Sequence, residues 1–407
     1  MIINQEKYNY IPIISVYFLA LVLIKVIVLD NFNYIFFVTI GSIGFIVYNL
    51  KSILGIKKLY VNINEFKWIV NSILIYTIFV LGLTIFKVPK AIIYSINILT
   101  PFLTMIFLIY DMVEYEYIIL NIKKIIIYIF LGTSIAALIM LCFGYSKIDI
   151  SFDHILTFIP TKDYIATDNE IRLAWLTSHK SRYALYCLIG ILFIYNTNLV
   201  DRKIKNISIL LLYINLFLTS SLTSIAIGIV AWILLQYKKI FEFINKHKWS
   251  KYIIIVTIFI GFITTVIYIS GRRNILTLGS RLYIWQSAIG QIVKEPMGIV
   301  AMGKDFLMSN ENLNFLFTNG HNIFLNELIE RGVIGTVLFL FIFISIFKLF
   351  YNSKNYYYIY ANIVCILGGL IDYTIAEEMT YIFWFINAIW CAESILYLKN
   401  RNIIRKR

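Results

Sequence analysis

The sequence predicts an all-α polytopic membrane protein with about twelve transmembrane helices and two longer extracytoplasmic loops. Three observations lead there. Of its 407 residues, 60% are hydrophobic and only 14% charged, where a soluble domain carries about 25% charged residues. Apolar runs recur along almost the whole chain, each of about 18 residues or more and so long enough to cross roughly 30 Å of hydrocarbon as a helix. The runs are continuous Ile/Leu/Phe stretches rather than alternating ones. That pattern favours helices over a closed barrel, the only other structure that satisfies its own backbone in lipid.

Taken in order, spans are expected near 11–29, 32–50, 67–86, 91–110, 125–143, 182–200, 207–220, 222–237, 252–270, 333–350, 357–375 and 380–398. All twelve belong to a single transmembrane domain covering 1–407. The first follows Lys7 and has no small-residue cleavage site after it, so it reads as an uncleaved anchor. The stretch 207–237 is too long for one ordinary span. Its middle, Thr219-Ser220-Ser221-Leu222-Thr223-Ser224, is polar enough for a tight re-entry, which divides it in two. Cys142, Cys187, Cys365 and Cys391 all fall inside apolar runs with no metal-ligand spacing, and read as small core residues. Lys25 and Glu393 lie in or near spans, where a charge snorkels or pairs.

The net charge of +14 would suggest nucleic acid in a soluble protein. With both termini cytoplasmic, however, inner segments hold 22 of the Lys and Arg residues against 13 on the outer side, and acidic residues divide 7 against 14. This is the positive-inside pattern. Membrane lipids are therefore the expected partners of the basic surplus, and no nucleic acid is expected.

Two outer loops are long, 144–181 and 271–332, and together they hold His154, His179 and His321. Long loops in a compact domain are usually functional. In the larger one, Leu282, Trp285, Ile289 and Ile292 recur at helical spacing after Arg281, which predicts an amphipathic helix at the membrane interface. Pro296, Gly298 and Gly303 break it. Asn322 then caps a second helix with an apolar stripe Phe324/Leu325/Leu328/Ile329, which Gly332 ends or bends into the next span. His321 thus sits at a helix start. Such a residue is most simply hydrogen-bonded to its neighbours, but an imidazole also suits proton transfer near neutrality. Arg281 reads either as an interfacial arginine or as a phosphate clamp suited to its guanidinium fork. The smaller loop ends in Arg172…His179-Lys180-Ser181-Arg182, a basic cluster on the side poor in positive charge. It fits lipid phosphates or the second half of an anion site. Asp372, Glu377 and Glu378, at the outer end of the eleventh span, are placed to orient these arginines.

The sequence has no Walker A motif, no nucleotide-binding glycine loop, no soluble domain and no DxD-type acidic cluster. No cofactor and no metal is therefore expected. The order Arg281…Trp285, Pro296-Met297-Gly298, Gly303, His321-Asn322…Leu325…Leu328…Glu330-x-Gly332-x-x-Gly335 resembles the signature loop of the bacterial O-antigen polymerase and O-antigen ligase superfamily. The segment Arg172 to Arg182 is similar to an arginine-containing stretch before a middle span in the same family. The chain departs from it at Ser220-Ser221-Leu222-Thr223-Ser224, where many members carry an arginine.

The resemblance implies glycosyl transfer at the outer leaflet of a bacterial cytoplasmic membrane. The partners would be donor and acceptor oligosaccharides on undecaprenyl diphosphate, together with a chain-length regulator and a flippase of the same pathway. His321 would be the base, and Arg281, Arg172 and Arg182 would hold the diphosphate. His179, Arg273, Asn322 and Glu330 would support them. A polysaccharide polymerase is the leading reading, and a ligase acting on a lipid A-core or protein acceptor shares the same loop. A lipid-linked oligosaccharide flippase is the rival from another class, though it has no use for a loop of 62 residues at 271–332.

Overall fold

The computed structural model describes residues 14, 17, 18, 21, 34–149, 157–161, 172–177, 179–246, 280–300, 308–311, 313, 316–317, 319–372, 374–375 and 378–405. The expected span at 252–270, most of that at 11–29, and His154, Arg273, Gly303 and Glu377 lie outside them.

The described chain is helical almost throughout. Its helices are α1 (Tyr34–Tyr48), α2 (Ile53–Asn62), α3 (Asn64–Lys87), α4 (Ile92–Glu114), α5 (Glu116–Cys142), α6 (Lys180–Tyr195), α7 (Arg202–Leu218), α8 (Leu222–Lys246), α9 (Arg281–Lys294), α10 (Ile323–Asn352), α11 (Tyr356–Ile371) and α12 (Glu378–Arg405). The segments Asn64–Lys87, Pro89–Glu114, Glu116–Cys142, Ile323–Asn352 and Met379–Arg401 are long and apolar enough to cross a membrane. Large apolar side chains such as Ile78, Phe86, Trp232 and Ile344 face outward, the inverse of a soluble surface. The protein is an α-helical membrane protein.

The polar middle of 207–237 does divide it, because α7 ends at Leu218 and α8 starts at Leu222, with Ser220 at φ 49° between them. The smaller loop holds an antiparallel hairpin that its sequence does not predict, β1 (Tyr145–Asp149) on β2 (Thr157–Pro160). Cys142 is also not a core residue. It ends α5 exposed, whereas Cys187, Cys365 and Cys391 are buried.

The bundle is organised around α12, whose span is 89% buried. It packs chiefly on α4, while α10 packs on α3 and α6 on α7. Buried polar groups staple the helices together. Tyr183 Oη donates to Asn215 Oδ1 at 3.0 Å, and Asn215 Nδ2 to the Ser134 carbonyl at 3.1 Å, joining α6, α7 and α5. Glu393 pairs as expected, with Lys123 Nζ at 2.6 Å and the Tyr358 hydroxyl at 2.5 Å. An unpaired charge at the centre of a membrane span costs on the order of 2.5–3.5 kcal/mol on insertion scales.

Candidate active site

Three helix N-termini and one C-terminus meet at one end of the bundle. Asn322 brings two of them together. Its side-chain oxygen caps α10, accepting from the Phe324 and Leu325 amides at 2.9 and 3.1 Å, and its Nδ2 donates to the Leu370 carbonyl on α11 at 2.8 Å. The start of α10 is thereby tied to the end of α11, and His321, just before the cap, faces Asp372, just after α11. His321 Nδ1 lies 3.6 Å from Asp372 Oδ1. That distance is longer than a normal hydrogen bond, and the contact is ionic only when the imidazole is protonated.

His321 has φ 49°, in the left-handed region, held by its amide donating to Asn319 Oδ1 at 3.0 Å. The turn is pinned further by Trp285 Nε1 on the Gly320 carbonyl (2.9 Å) and by the Gly320 amide on Asn326 Oδ1 (2.7 Å). Trp285 belongs to α9, so the same contact sets Arg281, at the first position of that helix, beside the carboxylate. Arg281 Nη2 is 3.5 Å from Asp372 Oδ2. From α6, Ser181 Oγ donates to Asp372 Oδ2 at 2.7 Å.

Asp372 is the hub of the site. Burial pushes its carboxyl up, but the polar contacts of His321 and Ser181 and the Arg281 charge outweigh that and hold it well below the usual carboxylate range. His179 caps α6, with its Nδ1 accepting from the Ser181 amide at 3.3 Å. Desolvation holds its imidazole below the ordinary histidine value. Asp372 opposes that, and Arg182, Lys180 and His321 reinforce it.

Arg172 is half-buried, in a segment that runs between β1 and the α7–α8 turn. The Leu173 amide donates to the Leu218 carbonyl and the Ala174 amide to that of Ser146, both at 3.0 Å. Lys180 is buried and reaches the Ser220 carbonyl at 3.1 Å. The Ser220–Ser221 turn therefore lies beside a lysine from α6. Arg281 lies at Asp372, while Lys180 and Arg182, in the first turn of α6, follow His179.

Glu330 lies elsewhere. With Glu327 and Arg331 it forms a buried cluster on α10: Arg331 Nη1 donates to Glu327, Arg331 Nη2 to Glu330 Oε2 (2.6 Å), Tyr76 Oη to Glu327 Oε1 (2.7 Å) and Tyr94 Oη to Glu330 Oε1 (2.8 Å). The cluster was not anticipated from the sequence, although Glu327-x-x-Glu330-Arg331 places three charges on one helical face. The predicted apolar stripes also shift. On α9, Ile284 and Ala288 are the buried pair, against Met308, Phe317 and Ile329, while Leu282 and Ile289 are exposed. The loop brings its own small core, so the inward face is set by Met308 and Phe317 rather than by the membrane alone.

The cluster sits below a backbone interlock. At Gly332 α10 breaks its helical path, with φ 67° and ψ −169°, which frees polar groups that a continuous helix would pair. The Pro296–Val300 segment takes them over. The Ile299 amide donates to the Ile329 carbonyl (2.9 Å), the Val300 amide to that of Glu330 (2.7 Å), and the Val333 amide to that of Pro296 (3.1 Å). Lys87 Nζ holds the Gly298 carbonyl at 2.7 Å. The spacing of Pro296-x-Gly298 and Gly332 thus has a physical basis in mutual backbone contact.

Among the described residues, no group of three or more His, Cys, Asp or Glu side chains comes together that could hold a metal ion. No family model matches the chain, and no curated protein does.

Proposed function

We propose that the protein is a membrane glycosyltransferase, a repeat-unit polymerase of O-antigen or capsule, that uses a glycan on undecaprenyl diphosphate as donor at the outer leaflet. The observation that carries this reading is the meeting of His321, Arg281 and Ser181 on Asp372 at one end of an apolar helix bundle. A base held by a carboxylate, next to an arginine and further cations, is what sugar transfer from a diphosphate needs. With Nδ1 turned to Asp372, the His321 Nε2 is the edge left for the reaction. It takes the proton of an acceptor sugar hydroxyl as that oxygen bonds to the anomeric carbon. The bond from this carbon to the diphosphate oxygen breaks, and its electron pair leaves with the lipid diphosphate. Arg281, with Arg172 or Arg182, neutralises the charge that grows there.

In this reading the chain crosses the bacterial cytoplasmic membrane twelve times with both termini inside. Contacts between the loops fit that arrangement. Lys87 meets Glu295 and Lys180 meets Ser220 at the site end, while Asn352 meets Glu65 at the other. The test is His321→Ala in the producing cell, read as surface glycan on a gel. A ladder reduced to single attached repeats supports the polymerase. Long lipid-linked polymer left unattached indicates the ligase, and unchanged glycan refutes the role of His321.

A further inference from the structure

The two histidines of the site present opposite hydrogen-bonding edges. His321 turns Nδ1 toward a carboxylate that stays charged, which in the neutral ring favours the tautomer with the proton on Nδ1 and the lone pair on Nε2. His179 does the reverse. Its Nδ1 accepts the Ser181 amide, so in the neutral ring the proton must sit on Nε2, on the far edge from α6. That ring is exposed, and the charges facing it are Asp372, Arg182, Lys180 and His321. Arg281 contacts the same carboxylate, 3.5 Å from Asp372 Oδ2. Desolvation, reinforced by the Arg182 and Lys180 charges, disfavours an imidazolium at this position against the pull of Asp372.

We propose that His179 is a substrate-binding residue that donates a neutral Nε2–H hydrogen bond to an oxygen of the lipid diphosphate, while Arg281 supplies the charge. This rests on the diphosphate reading above and assigns a function to a residue that otherwise only caps a helix. A neutral donor adds direction without adding to the crowded positive charge, and it leaves proton removal to His321. The division of labour follows from the two rings having opposite tautomers around one carboxylate.

The experiment uses the full chain in nanodiscs and undecaprenyl diphosphate as the probe, with binding measured from pH 5.5 to 8.5. His179→Gln keeps an N–H donor at the Nε2 position but is a poor cap. His179→Ser is a good cap but cannot reach the ligand. Loss of one hydrogen bond to a charged group is expected to weaken binding about tenfold or more. The expected order is therefore wild type and His179→Gln within a few-fold of each other, with His179→Ser and His179→Ala weaker by at least tenfold. Wild type and His179→Gln should also show the same pH dependence.

If Ser preserves binding and Gln loses it, His179 is a helix cap only and the proposal fails. A wild-type affinity that rises on acidification, while that of His179→Gln stays flat, also overturns it, because the ring would then be binding as a cation. Arg281→Ala separates the two levels of the argument. If wild type does not bind undecaprenyl diphosphate, or Arg281→Ala binds as well as wild type, the diphosphate site itself is refuted. If Arg281→Ala loses binding and no His179 variant does, only the donor role falls.

Discussion

Replacing Gly332 with alanine should uncouple the two halves of the site without touching either. A Cβ there would lie 2.2 Å from the Pro296 carbonyl oxygen and 2.5 Å from the Met297 carbonyl carbon. Both are backbone atoms that cannot swing aside. The φ of 67° with ψ near −169° also falls in a region reserved almost entirely for glycine, at a cost of about 1–3 kcal/mol for other residues. Gly298 closes the same contact from the other strand, with φ 80° and a Cβ that would meet the Glu330 oxygen and the Gly332 nitrogen at 2.5 Å. The least costly response to Gly332→Ala is for the interlock to open. That forfeits three backbone hydrogen bonds, each worth about 1 kcal/mol net. The variant is then less stable by about 3 kcal/mol, roughly a hundredfold in its folding equilibrium constant.

The interlock joins the end of α9, which begins with Arg281, to the helix that begins just after His321, so opening it releases one from the other. The assay pairs a thermal melt of purified protein with the glycan ladder of cells carrying the variant. Gly290→Ala is the control, because nothing lies within 4 Å of its Cβ and the position is helical. It should be neutral or stabilising by up to about 1 kcal/mol. If Gly332→Ala melts and polymerises like wild type, or Gly290→Ala is as damaging, the account of the interlock is wrong.

Two further outcomes are expected. Asp372→Asn should destabilise the protein by an amount that does not shrink between pH 8 and 5. The depressed carboxyl contributes stability that is fully present above its ordinary value of 3.8 and is lost only as pH falls below it. A gap in melting temperature that closes between pH 8 and 5 would contradict this. Arg331→Met alone should cost roughly 3–5 kcal/mol, because it strands Glu327 and Glu330 in a buried site. The triple change Glu327→Gln, Glu330→Gln, Arg331→Met should recover a large part of that loss, and strictly additive melts would rule out coupling within the cluster.

The membrane class of this protein is written in its residues one run at a time. Hydrophobic length and the absence of alternation act locally, so most helices appear where the apolar runs place them, and the polar Thr219–Ser224 turn divides α7 from α8. The Asn322 cap and the bend at Gly332 were legible too, because capping and glycine backbone freedom are local chemistry. That Asp372 would face Arg281 could be suggested from the expected placement of both on the same side of the membrane. Its sharing between His321, Arg281 and Ser181 could not, because those residues are separated by tens to hundreds of positions and only packing brings them together. The same limit applies to the face that α9 buries, which depends on the loop core of Met308 and Phe317. It applies also to Glu330, whose carboxylate is taken by Arg331 and by Tyr94 from another helix. Periodicity tells which residues avoid water. Which buried charge finds which partner depends on distances between helices, and those exist only once the bundle has closed.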